Sequence, residues 1–189
     1  NRIRIQITTI DAIRKKVGPE FPVLIRFSAS DFVENGVDLS TTIPYAKQLQ
    51  NAGVDCLDIS AGGTPVSPPY SMSPDGSKLD GCFADLSFEI KKNISIPVIV
   101  AGKINSRSIA EQILQSNKAD LIAVCRQLLT DPQWPDKLSR NEDHLVTNCL
   151  YCNTGCFFQS TDKGIPVRCV KNSEVGFEHE YYNLAGDYA

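Results

Sequence analysis

Four cysteines, Cys149, Cys152, Cys156 and Cys169, lie within the 23-residue stretch TNCLYCNTGCFFQSTDKGIPVRC, spaced C-x2-C-x3-C-x12-C. Thiols this close pair as disulfides, hold a structural zinc, or hold an iron–sulfur cluster. Structural zinc usually uses two well-separated C-x2-4-C knuckles. Three closely spaced thiols, with a fourth from a later segment, fit the corners of a cubane better. Disulfides fit least: the N-terminal stretch lacks the charged-then-apolar pattern of a signal peptide. No apolar run approaches the roughly 18 residues that span a bilayer. These features predict a cytoplasmic protein in a reducing compartment, with no membrane partner.

A second set of polar residues follows apolar runs along the chain: Arg26 and Ser28, Ser60, Gly102 and Lys103, and Arg126. Cations at the ends of successive strands suit an anionic ligand, and Gly102–Lys103 with Cys125–Arg126 suggest a phosphate site; singly, each is a strand-end surface charge. Nucleic acid is not the expected anion. The net charge is −3, and the longest basic run is Arg14 to Lys16, read as the solvated end of a helix. Asp55 and Asp58 resemble an acid pair, but residues three apart on a strand point to opposite faces. His144 reads as part of an exposed turn, and neither it nor His179 is expected to bind metal. Cys56 reads as strand core and Cys82 as loop filler.

The elements that must position these groups alternate. Ile3, Ile7, Ile10, Ile13 and Val17 mark one face of an opening helix that begins without an N-cap or initiator Met, as though the chain continued something longer. FPVLIRFSAS reads as a strand buried on both faces. STTIPYAKQLQNAG is a helix stopped by Gly53, and VDCLDIS is the next strand. The Gly-, Pro- and Ser-rich stretch AGGTPVSPPYSMSPDGSKLDG is a long loop of the kind that lines binding sites. FADLSFEIKKNI, IPVIVAGKI, SRSIAEQILQSNKA and DLIAVCRQLL then continue as helix, strand, helix opened by Ser106, and strand running into a helix. The alternation specifies an α/β fold with a parallel sheet. An open doubly wound sheet and half of a (β/α)8 barrel both fit, but the first strand lacks the G-x-G-x-x-G of a dinucleotide-binding sheet.

NRIR, IRFSASDF, IPVIVAGKI and ADLIAVCRQLLTDPQWPDK, in this order and spacing, resemble the Old Yellow Enzyme family of NADH:flavin oxidoreductases. The resemblance covers nearly the whole chain. It implies the C-terminal half of a TIM barrel (strands 5 to 8) over residues 1–145, followed by a cluster-binding segment over 146–189. It implies FMN as cofactor, with Arg26 near the polar edge of the flavin ring. Gly102, Lys103, the Cys125 amide and Arg126 would hold the phosphate, the cysteine being a small buried residue. CLYCNTGC and the later CVKNSEVGFEHEYYN are similar to an iron–sulfur subgroup that includes 2,4-dienoyl-CoA reductase, enoate reductase-like and trimethylamine dehydrogenase-like enzymes. Ser173 stands where that subgroup usually has Pro. The resemblance therefore makes the four cysteines ligands of a 4Fe-4S cluster.

The activity so implied is reduction of the C=C bond of an enoate, enoyl-CoA or enone by NAD(P)H, on a small-molecule substrate. The loop after the second strand, SAGGTPVSPPY, lacks the His of the dienoyl-CoA branch, and its Tyr70 is read chiefly as packing, less as a substrate contact. The family's substrate-orienting His pair and proton-donor Tyr belong to the absent half, so no catalytic acid is named. The alternatives are an amine dehydrogenase of the same architecture, or a non-catalytic zinc-stapled half-barrel. A FAD- and NAD(P)H-binding domain follows the segment in larger members. Unpaired edges of a half-barrel predict a homo-oligomer or a partner supplying strands.

Overall fold

The computed structural model describes residues 3–63 and 73–180, which fall into two compact units. The first comprises Asn1–Pro74, Lys78–Ile104 and Ser108–Ala123. Its parallel strands are β1 (Leu24–Ser28), β2 (Cys56–Ser60), β3 (Val98–Val100) and β4 (Leu121–Ile122), hydrogen-bonded in that sequential order. Between them run α1 (Arg4–Val17), which precedes β1, α2 (Leu39–Asn51), α3 (Ala84–Lys91) and α4 (Arg107–Gln115). The side chain of Asp38 starts α2 by accepting the Thr41 amide, satisfying one of the donors a helix leaves open at its N-terminus. The chain leaves the same helix through Ala52 and Gly53, whose φ of +92° favours a residue without a Cβ.

Strand alternation separates the two faces of the sheet. Leu57, Ile59 and Val98 point into the helical layer, against Ile10, Ala46, Leu49 and Ile90. On β1, Ile25 and Phe27 join that core, while Leu24 and Arg26 remain 52% and about half exposed. The sequence expectation of a β1 buried on both faces is therefore corrected. Its bare side has no covering layer among the described residues. Register aligns Arg26 with Asp58, Asp58 with Ile99 and Ile99 with Leu121, so these four form one row across the sheet. Sequential strand order with helices on one face is the arrangement of half a (β/α)8 barrel; a doubly wound sheet reverses its order and carries helices on both faces.

The second unit comprises Asp75–Ser77, Asn105–Arg107 and Val124–Ala189. It contains α5 (Arg126–Thr130), α6 (Trp134–Ser139), a 3-10 turn (Asp143–Leu145) and a π-helical turn (Thr154–Phe158) leading into α7 (Gln159–Lys163). Arg107 grips Asp143 with a two-pronged ion pair, Nε to Oδ1 at 2.9 Å and Nη2 to Oδ2 at 3.0 Å. Compactness thus divides the chain at Val124, earlier than the boundary at 145 and 146 read from sequence. The reason is chemical: the side chains of α5 are spent on the cysteine segment.

Candidate functional site

Within the second unit all four cysteines line one cavity, together with Arg126, Thr130 and Asn153. About 320 Å³ of this space is free of protein atoms, part of it open to solvent. Cys149, Cys156 and Cys169 are half-buried and Cys152 is exposed. Among the described residues, no three His, Cys, Asp or Glu side chains converge closely enough to hold a single metal ion.

Local backbone chemistry builds this cavity. Tyr151 and Asn153 take left-handed conformations, φ +53° and +58°, which wind the chain between the first and third cysteines. The Tyr151 amide donates to Cys149 Sγ at 3.4 Å. The Asn153 carbonyl accepts the amides of Phe157 and Phe158 at 3.3 and 2.9 Å, setting the π-helical turn on which Cys156 sits. Gly155 lies so close to Arg168 that an added Cβ would be 2.6 Å from its carbonyl oxygen. That approach brings the neighbours of the two, Cys156 and Cys169, into the same cavity.

α5 supplies the polar contacts. Arg126 Nη1 donates to Asn153 Oδ1 at 2.6 Å, and its guanidinium lies 4.7 Å above the Tyr151 ring. Gln127, almost fully buried, accepts the Cys149 amide and donates to the Thr147 carbonyl, each at 2.9 Å. Thr130 Oγ1 lies 3.5 Å from Cys169 Sγ. Asp131, which follows the helix, accepts the Thr147 amide at 2.9 Å and Lys137 Nζ at 2.7 Å. Burial pushes the Cys156 thiol up; Arg126 pulls it down, and Cys149 and Cys152 push it up again. Sequence reasoning did not find Gln127, Thr130 or Asn153. For the first two, the available signal was a polar triplet, Arg126, Gln127 and Thr130, at spacing i, i+1, i+4 where DLIAVCRQLLT otherwise continues apolar.

In the first unit, Arg26 Nη1 lies 3.6 Å from Asp58 Oδ2 on the open sheet face. Asp58 Oδ1 is buried with no hydrogen-bond partner among the described residues. Burial pushes the Asp58 carboxyl above its ordinary value, and Arg26 only partly offsets this. Asp55 instead lies before β2, where it accepts the Val23 amide at 2.7 Å and pairs with Arg14, so the two acids do not act together. Gly102 has φ +123°, and a Cβ there would meet the Phe83 ring at 2.8 Å, so packing alone already requires glycine. Lys103 is buried, with its ammonium held by the Lys78 carbonyl and by Asp80 at 3.4 Å.

Other expectations fare differently. Cys125 is exposed, correcting its reading as a small buried residue: β4 ends at Ile122, and Cys125 lies on the connection that starts α5. Cys56 is buried in β2 as expected, and Cys82 is half-buried in the turn before α3. His144 is exposed in its 3-10 turn, and His179 stands 3.8 Å from Glu180. Tyr70 lies outside the described residues. No helix among the described residues is long and apolar enough to cross a membrane.

The family model of NADH:flavin oxidoreductases and NADH oxidases matches residues 1–144. An NADH oxidase of Thermoanaerobacter brockii is 37% identical over 183 residues, 97% of this chain and 28% of the relative. A cinnamate reductase of Clostridium sporogenes is 29% identical over 96% of this chain and 29% of its own length. Among solved structures, a 2-naphthoyl-CoA reductase complex superposes with a TM-score of 0.87 at 29% identity, covering 94% of this chain and 27% of that one. The chain thus spans well under a third of the length of these relatives, and the first match extends through its cysteine segment. The chain belongs to the NADH:flavin oxidoreductase / NADH oxidase family, of which it carries a half-barrel and the thiol-rich segment that follows it.

Proposed function

We propose that this chain is part of an oxidoreductase, dependent on FMN and a 4Fe-4S cluster, that uses NAD(P)H to reduce the C=C bond of an α,β-unsaturated carbonyl compound. One observation carries the reading: a chain matched by the flavin oxidoreductase family also places four thiols around one cavity. A cubane takes one thiolate at each of four corners, and the four cysteines that line this cavity can supply them. Two names support the substrate class, the cinnamate reductase and the 2-naphthoyl-CoA reductase, both acting on conjugated carbonyl compounds.

The chain's own residues have distinct tasks in this reading. Cys149, Cys152, Cys156 and Cys169 ligate the cluster, and the cavity wall limits its contact with water. Arg26, on the open sheet face, holds a positive charge at the polar edge of the flavin. Gly102, Lys103, the Cys125 amide and Arg126 are assigned to the flavin phosphate; the ion pairs of Lys103 and the Asn153 contact of Arg126 would then be shared with that task. When bound, the flavin supplies hydride transfer and the cluster one-electron transfer. The resemblance assigns the other barrel strands and the catalytic acid to the half of the barrel that this chain does not include.

The reading is tested with the full-length protein under anaerobic conditions, by offering cinnamate, crotonyl-CoA and 2-cyclohexenone with NADH or NADPH. Saturated product and matching NAD(P)H consumption are expected. Oxidation of amines with no turnover of any of the three would replace it with an amine dehydrogenase.

A further inference from the structure

The contact between Thr130 and Cys169 is left without a task by the tasks assigned above. Thr130 is almost fully buried at the last position of α5. Its Oγ1 has two neighbours, the Arg126 carbonyl at 3.0 Å and Cys169 Sγ at 3.5 Å. A hydroxyl has one proton to donate and lone pairs to accept with. When Cys169 is a thiol, both contacts are satisfied together: the sulfur donates to Oγ1, and the hydroxyl donates to the carbonyl. A sulfur bonded to iron has no proton and can only accept. The hydroxyl can then bond the sulfur only by turning its proton from the carbonyl to it.

We propose that Thr130 is a positioning residue for the thiol site, donating its hydroxyl to ligated Cys169 and thereby setting the reduction potential of the group those cysteines hold. The inference rests on the cluster reading given above. Reduction adds one electron, drawn from the reduced flavin in the protein or from dithionite in the test. No bond breaks, and the hydroxyl proton stays on Oγ1 while changing the acceptor it faces. Hydrogen bonds to cluster sulfurs stabilise the more negative, reduced state and so raise the potential. Cys169 is the ligand best suited to this control. It arrives thirteen positions after Cys156, on a separate segment, where α5 meets it directly.

The test is a redox titration of anaerobically purified full-length protein with dithionite and mediators, followed by electron paramagnetic resonance. Wild type, Thr130→Val and Thr130→Ser are compared, with iron, sulfide and FMN measured on each sample. Valine keeps the branched shape and removes the donor; serine restores it. The expected result is full iron and sulfide in all three, with the reduction equilibrium about tenfold less favourable in Thr130→Val, a fall of about 59 mV for one electron. Thr130→Ser should return to the wild-type value. Equal potentials in wild type and Thr130→Val, with the cluster present in both, would overturn the role of Thr130 alone. A wild type without iron and sulfide would overturn the cluster reading and this inference with it. Should Thr130→Val lose its cluster, Thr130→Ser decides: retention at the wild-type potential supports the donor, and loss there as well refutes it.

Discussion

Arg126 reads from its place after β4 as a phosphate ligand, yet its guanidinium lies between Asn153 Oδ1 and the Tyr151 ring. A planar fork can do both, donating to an amide oxygen with one edge while its face covers an aromatic ring. Removing it should loosen the turn that carries Cys152 and Cys156. Outer partners of metal ligands typically contribute about 10- to 100-fold in metal affinity. On the cluster reading proposed above, Arg126→Gln should release iron to a chelator about tenfold faster than wild type, measured from the visible absorbance. Asp58 supports a second prediction at this scale. Burial raises its folded pKa above the ordinary 3.8, so the folded state holds its proton more tightly than the unfolded chain. Stability on its account is greatest at low pH and falls as pH rises through that raised value. Asp58→Asn should raise the melting temperature at pH 7 and leave it nearly unchanged at pH 3, read by thermal denaturation at both.

At the scale of elements, α5 acts as a mould, because in a single helical turn and a half it touches segments from every cysteine region. Two features of its surroundings are testable. Burial opposes ionisation of Asp131, but hydrogen bonds from Lys137 and the Thr147 amide outweigh it and hold the carboxyl below its ordinary value. A depressed carboxylate stabilises the fold above pH 3.8 and loses that contribution as pH falls through the folded pKa. Acid should therefore free the Thr147 amide, and hydrogen exchange should show faster labelling of residues 146–150 in Asp131→Asn at pH 7. The second is Gly155, where a methyl group would press on the Arg168 backbone. Overpacking of this kind costs about 1–3 kcal/mol, so Gly155→Ala should unfold the segment at a lower denaturant concentration.

These elements also show what the sequence made legible. Apolar runs and their spacing identified each helix and strand of the first unit, because burial in one layer imposes a periodicity. The cysteine spacing marked the thiol site for the same kind of reason: residues that meet in one cavity must recur where a loop turns. The contacts of Gln127, Thr130 and Asn153 were not legible, since each depends on which residues the fold brings together across 20 to 40 positions. Cys125 was misread because the strand before it is only two residues long, and its exposure depends on where that strand stops.

For the molecule as a whole, the sequential strand order leaves β1 and β4 as edges of the sheet among the described residues. The row of Arg26, Asp58, Ile99 and Leu121 lies on its bare face, with Leu121 50% exposed. Unpaired edges and an uncovered face invite association. Expressed as residues 1–189 alone, the 20.8 kDa chain should sediment as a multiple of that mass, whereas the rest of the barrel, added in trans, should compete with this association. The central claim is the identity of the group the four thiols hold, and the most direct test is iron and acid-labile sulfide analysis of anaerobically purified protein, with Cys152→Ser beside it. The account predicts about four iron and four sulfide per chain and a brown protein, lost in the variant. One zinc per chain, no sulfide and a colourless sample would contradict it.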